Sequence, residues 1–162
     1  MSCCVATWVS DLRVDAVNPL ASTSNLYERI GRQPGIQKLL HHFYADVRQH
    51  ALLGPVFARH IHDWPAHLKK IGTFWAQVTG GPSGYGGGMP ARHLALGIEA
   101  AHFGAWLQLW EFNCSAHLQR AEAEEMIALA HEIGRRLKTI LRLPSEEGLK
   151  AADGGSTGSR TV

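Results

Sequence analysis

Two histidines stand where an imidazole can do chemistry. His67 lies in the stretch DWPAHLKKIGTFW, from Asp63 to Trp75. At helical spacing it shares a face with Trp64, Leu68, Ile71, Phe74, Trp75 and Val78. His93 lies in PARHLAL, directly after the glycine-rich stretch from Gly80 to Pro90. A flexible loop that delivers a short segment can present an imidazole to a pocket, and neutral imidazole is the commonest axial ligand of haem iron. The opposite face of such a site needs polar donors for a bound diatomic molecule. Tyr44, His67 and Trp106 fall on the apolar faces of three different stretches, and each carries an N–H or O–H group. A buried Tyr or Trp ordinarily finds a partner for that group. On pattern alone the plainer reading is the stronger: three independent core residues satisfied by backbone carbonyls.

Other chemistry finds little support. There is no G-x-S-x-G, H-E-x-x-H or C-x-x-C-H motif. The glycine-rich stretch lacks the G-K-[S/T] ending of a phosphate loop and no strand precedes it, so it reads as a linker. His60 and His62 form an H-x-H that could hold zinc, but two ligands without a partner cluster are weak evidence. His41, His42, His50, His102, His117 and His131 read as surface or helix-end residues.

The elements that must position these groups are helices. Asp63 is a helix cap and Pro65 suits a first turn, so a helix should run from Asp63 to about Thr79. Before it, LYERI (Leu26 to Ile30) makes a short helix stopped by Gly31. From Pro34, Ile36, Leu39, Leu40, Phe43, Tyr44 and Val47 follow the rhythm of an amphipathic helix. LLGPVF (Leu52 to Phe57) reads as a tight corner, and ARHLAL as a short turn. A further helix carries Ile98, Phe103, Trp106, Leu107, Trp110 and Cys114 on one side. The last runs from about Gln119 to Arg142, with Met126, Ala130, Ile133, Leu137 and Ile140 in register. With no period-2 strand and no internal repeat, the class is all-α, as two helix pairs packed across each other.

Composition sets the outer limits. The chain has 162 residues, 45% hydrophobic and 19% charged, which suits one soluble domain. A formal net charge of +2 with no dense Lys/Arg stripe argues against nucleic acid. Ten histidines point to metal or cofactor chemistry. Cys3, Cys4 and Cys114 form no even framework, which suits a reducing, cytoplasmic setting. Asp11 interrupts the early apolar run, and nothing is long enough to span a bilayer, so neither a signal peptide nor a membrane is expected. Residues 1–24 read as a partly irregular extension, and residues 144–162 as a flexible, glycine-rich tail.

Six blocks in order carry a resemblance. They are HFYADV, LLGPVF, DWPAHLKKIGTFW, GGPSGYGGG, PARHLAL and HFGAWLQLW. Over roughly Leu26 to Leu143 the chain resembles the truncated haemoglobins, most closely their third group. The resemblance implies a truncated-globin domain over residues 25–143, with two helix pairs crossed over a haem pocket and haem b (iron protoporphyrin IX) as cofactor. It implies that His93 is the proximal iron ligand. It makes Tyr44 the distal tyrosine, His67 the gate histidine, Ile71 the apolar residue one turn on, and Trp106 an indole facing the distal space. By the same resemblance Phe57 stacks on the porphyrin, Phe74 and Trp75 line the cavity, and Lys70 and Arg92 pair with propionates. The implied ligands are O2, CO or NO, with oxygen binding or transport as the function, on a monomer or weak homo-oligomer. An alternative is a redox enzyme at the same site, an NO dioxygenase or peroxidase-like activity. Having no flavin or nicotinamide fingerprint, it would need a separate reductase. A haem-free helical metal-binding or interaction module is the third reading. Two departures from the family pattern stand out: IGRQPG where paired glycines are usual, and Met89-Pro90 before the proximal turn.

Overall fold

A computed structural model describes residues 24–94 and 96–143. Among them there are seven helices and no strand. They are α1 (Leu26–Arg29), α2 (Arg32–Gln49), α3 (Leu53–His60), α4 (Trp64–Val78), α5 (Met89–Leu94), α6 (Ala100–His117) and α7 (Arg120–Ile140). The expected extension and tail lie outside the described residues, Ser24 excepted.

Local chemistry explains most boundaries. The Asn25 side chain accepts the Glu28 N–H at 3.0 Å and opens α1. Gly31, at φ +88°, turns the chain into α2, which therefore starts at Arg32, ahead of Pro34. The Asp63 carboxylate accepts the Ala66 N–H at 3.0 Å and Pro65 sits in the first turn of α4, as the sequence predicts. Glu99 and His102 form a reciprocal cap at the start of α6, which leaves Ile98 ahead of the helix.

Two segments are more regular than the sequence suggests. LLGPVF is the start of helix α3 rather than a bare corner. His50 Nδ1 accepts from the N–H groups of Leu52 and Leu53, at 3.2 and 3.3 Å, and caps it. The turn at ARHLAL is part of α5, which begins two residues earlier at Met89. Pro90 fits there because the first N–H groups of a helix have no intrahelical acceptor.

The buried stripe of α2 packs on α4, α6 packs on α7, and α2 lies against α6 to join the two pairs. At the junction Phe43, Trp75 and Trp110 are essentially inaccessible. The indole N–H of Trp110 donates to the Met126 carbonyl of α7 at 3.2 Å. Asn113 donates to Asp46 of α2 at 2.9 Å. At the other end, α1 is tied to α7 by Arg29, which meets Glu122 and Glu125. Asn25 also donates to the Gly80 carbonyl at 2.8 Å, holding α1 to the end of α4. No helix among the described residues is long and apolar enough to cross a membrane.

The unusual IGRQPG turn has a steric reason. A Cβ at Gly35 would lie 1.7 Å from the Ile30 carbonyl oxygen, which is backbone and cannot move aside. A Cβ at Gly72 would also meet a neighbour, but only the side-chain amides of Gln37 and Gln33. Gly35→Ala should therefore destabilise by about 2 kcal/mol or more, and Gly72→Ala by less than about 1 kcal/mol. Urea unfolding midpoints check this. Equal losses in the two variants would mean that the Gly31–Gly35 turn is not the rigid element described.

Candidate functional site

The capped start of α4 sets the phase of its side chains, and that phase carries His67 toward α2 and α3. Its ring meets Tyr44 edge-on at 5.4 Å, Trp64 at 5.7 Å and Phe57 at 6.5 Å. Its Nε2 is buried and has no hydrogen-bond partner. Burial holds its pKa below the ordinary histidine range, and the charges of Lys70 and His93 lower it further. The unpartnered nitrogen therefore belongs to a neutral ring beside a second imidazole.

That second imidazole is on α5. His93 Nδ1 lies 2.7 Å from the carbonyl of Met89, one helical turn back. A carbonyl only accepts, so Nδ1 carries the proton and the lone pair is left on Nε2. Burial lowers the His93 pKa, opposed by the bond to Met89. A neutral ring of fixed tautomer with a free Nε2 is the ligating form of histidine, and a carbonyl on the other nitrogen is its usual support.

The walls are aromatic. Tyr44 is buried, with Phe43, Phe57 and Trp64 around it at 4.9, 5.8 and 5.7 Å. Burial pushes its phenol pKa well up, so the hydroxyl keeps its proton and can donate. Trp106 lies parallel to Trp110 at 5.4 Å with its ring edge-on to Phe43 at 5.2 Å. Ile71, one turn beyond His67, is half-buried beside this cluster's helix face.

Charge gathers at one edge. The Lys70 ammonium lies 6.0 Å from the Tyr85 ring centroid. Burial and the nearby Arg92 charge both lower the Lys70 pKa. Tyr85 is held up by burial, with Arg92 and a hydrogen bond from the Met89 backbone acting the other way. Lys70 and Arg92 thus bring two positive charges near Tyr85, on the helices that carry His67 and His93, and such a pair suits a ligand carrying anionic groups on one side.

Tyr44, Phe57 and His67 are brought together by α2, α3 and α4, His93 and Arg92 lie on α5, and Trp106 is on α6 against Phe43. Trp75 is different: it is turned into the core and stacked on Trp110, while Phe74 is buried against Tyr85 at 5.1 Å. Two neighbours went unrecognised in the sequence. Trp64 shields His67 and Tyr44 from outside, and its signal was its place one turn before His67. Tyr85 had no periodic signal, because it sits in the irregular loop before α5. His60 and His62 are exposed, and no group of three or more His, Cys, Asp or Glu suited to a metal occurs among the described residues.

The donor set fits a planar, apolar group with a metal at its centre and anionic groups at one edge. Comparisons with known proteins give the family. The model of the bacterial-like globin family matches residues 25–137. Group 3 truncated hemoglobin ctb of Campylobacter jejuni is 38% identical over 84 residues, which cover 49% of this chain and 66% of that protein, just under two thirds of its length. Group 1 truncated hemoglobin GlbN of Nostoc commune is 35% identical over 83 residues, 51% of this chain and 69% of that one. The crystal structure of group III truncated hemoglobin from Campylobacter jejuni superposes with a TM-score of 0.65 at 30% identity, covering 68% of this chain and 91% of the other. The family model spans α1 to α6 and most of α7, and with these likenesses it shows that the chain belongs to the bacterial-like globin family as a truncated haemoglobin.

Proposed function

We propose that this chain binds haem b through His93 and holds a small diatomic ligand, O2, CO or NO, beneath Tyr44, His67 and Trp106. The observation that supports it most is the pair of imidazoles: one with Nε2 freed by its bond to Met89, the other with a buried Nε2 left unpartnered. Haem, when bound, supplies an iron with one coordination position open to such a ligand. Phe57, Ile71 and Phe74 supply apolar contact for the porphyrin. Lys70 and Arg92, with Tyr85 beside them, meet its propionates.

The distal groups then act as donors. Tyr44 keeps its hydroxyl proton because burial disfavours the phenolate. The Trp106 indole N–H is a donor only. Each well-aimed bond in a dry site contributes about 1–3 kcal/mol, and such gains fall mostly on the release rate. Two donors therefore favour slow release, which suits redox chemistry better than oxygen transport. This donor count favours a second reading, an NO dioxygenase or peroxidase-like reaction at the same site, served by a separate reductase.

Three outcomes test the reading. His93→Gly should lose haem, or keep it only with added imidazole; an unchanged absorption spectrum and haem content would remove His93 from the ligand position. Tyr44→Phe and Trp106→Phe should each speed O2 release from the ferrous protein by roughly tenfold, the equivalent of about 1.4 kcal/mol. Stopped-flow release rates within about twofold of the parent for both would show that the ligand is held otherwise.

The third outcome is a pH profile. With His93 engaged, burial and Lys70 still hold the His67 pKa below its reference of about 6.5. The ring therefore stays neutral and inward at neutral pH. Once protonated in acid it moves toward water, because a buried unpaired charge is costly. CO association should be flat from pH 8 to about 6.5, and accelerate only in more acid solution. His67→Leu should abolish the acceleration. Flash photolysis decides it, and acid acceleration retained in His67→Leu would exclude His67 as the gate.

A further inference from the structure

Three tryptophans run in parallel from the proposed ligand site into the core. Trp106 and Trp110 are stacked at 5.4 Å with their planes 7° apart. Trp110 and Trp75 are stacked at 4.5 Å and 11°. The three indoles belong to two helices, α6 and α4, whose Trp75 and Trp110 are 35 residues apart in the chain. Phe43 closes the side of the stack, edge-on to Trp106 at 5.2 Å and to Trp110 at 4.9 Å. Trp75 and Trp110 are sealed from solvent.

Aromatic side chains in cores pair edge-to-face or in offset stacks. Here two stacks share the ring of Trp110, so three near-parallel indoles lie in one unbroken run. Indole is among the most readily oxidised side chains, and parallel overlapping π-systems exchange an electron readily. A phenylalanine at any of the three places would fill much of the same space but could not be oxidised in turn.

We propose that Trp106, Trp110 and Trp75 form an electron relay, through which the core supplies an electron to the haem site when a peroxide reacts there. This rests on the haem reading above. Hydrogen peroxide takes up two electrons and two protons to become two waters. Of these two electrons a haem bound there would supply one, and Trp106 supplies the other, leaving an indole radical cation at Trp106; the protons come from solvent. An electron from Trp110 then refills Trp106, and one from Trp75 refills Trp110. The oxidised centre thereby moves inward with no bond made or broken among the three rings. The Trp110 N–H donates to a backbone carbonyl, which accepts a hydrogen bond but does not take the proton, so the charge stays mobile. The 4.5 Å stack of Trp110 on Trp75 spreads that charge over two rings and makes the pair the resting place of the hole. The consequence is that oxidising equivalents are drawn away from the porphyrin and the distal donors.

The test uses the full chain loaded with ferric haem and mixed with one equivalent of hydrogen peroxide. Rapid-freeze EPR, with and without ring-deuterated tryptophan, identifies an indole radical. Single Trp→Phe variants locate it with no reagent having to enter the core. The parent protein should give an indole signal that narrows on deuteration, and Trp75→Phe should change its hyperfine pattern by leaving the hole on Trp110. Trp110→Phe should leave the radical on Trp106 with a hyperfine pattern unlike the parent's, while Trp106→Phe should lose the indole signal. Circular dichroism and the Soret band report folding and haem uptake in each variant. A full Soret band with no indole signal in the parent overturns the relay alone, as does a parent-like indole spectrum in Trp110→Phe. If Trp110→Phe fails to fold, Trp106→Phe decides: an undiminished indole signal there overturns the relay. A parent chain that takes up no haem shows no Soret band, and it overturns the haem reading together with the relay.

Discussion

The indole of Trp110 is the contact on which the rest of the molecule depends. It is fully buried in α6, faces Phe43 of α2, stacks on Trp75 of α4 and donates its N–H to α7 through Met126. One side chain therefore touches all four long helices and both helix pairs. Its apolar faces lose water to aromatic neighbours, which adds about 0.5–1.5 kcal/mol per ring pair beyond the area buried. Its one polar group is answered by a carbonyl, so burial leaves no donor exposed to apolar surroundings. With the two pairs locked at this point, the distance between α2 and α4 is set, and with it the space between Tyr44 and His67.

The same packing rule is broken at the site. Most buried polar groups have partners, yet His67 Nε2 and Asn113 Oδ1 have none. An unmet buried group costs about 1–3 kcal/mol. For Asn113 the cost is offset nearby: its amide nitrogen donates to both Asp46 and the Leu109 carbonyl and ties α2 to α6. His67 has no such compensation. Its neighbours Trp64, Tyr44 and Phe57 are aromatic, and the charge of Lys70 repels its protonated form. An atom kept dry and unmet is where an incoming ligand gains most, because its bond there replaces nothing. His93 is the counterpart: its Nδ1 proton is committed to Met89, so its Nε2 carries the lone pair.

Much of this was legible in the residues themselves. The capping signal at Asp63, and the apolar rhythms of α2, α4 and α7, are local in the chain, and hydrogen bonding within four or five residues decides them. So are the face that carries His67 and the loop that delivers His93. The short helices α3 and α5 were harder. A segment of eight or six residues shows barely two turns of periodicity, and its start is set by a cap such as His50 or by Pro90 in the first turn.

What the tertiary structure decided is which residues meet across long separations. Tyr85 joins the site only because the loop folds back beside α5, and nothing in its spacing distinguishes it from a linker residue; Trp64 shares the His67 face by spacing, but only the packing of α4 on α2 brings it against Tyr44. Trp75 shares a helical face with His67 by sequence, yet it is committed to Trp110 rather than to the cavity. The orphaned Nε2 of His67 is likewise a property of the assembled walls. Periodicity reports how a helix turns about its own axis, so the residues by themselves determined the helices and the candidate ligands. The crossing of helices places residues tens of positions apart within a few ångströms, and only that crossing decided which of those candidates share a site and which are core.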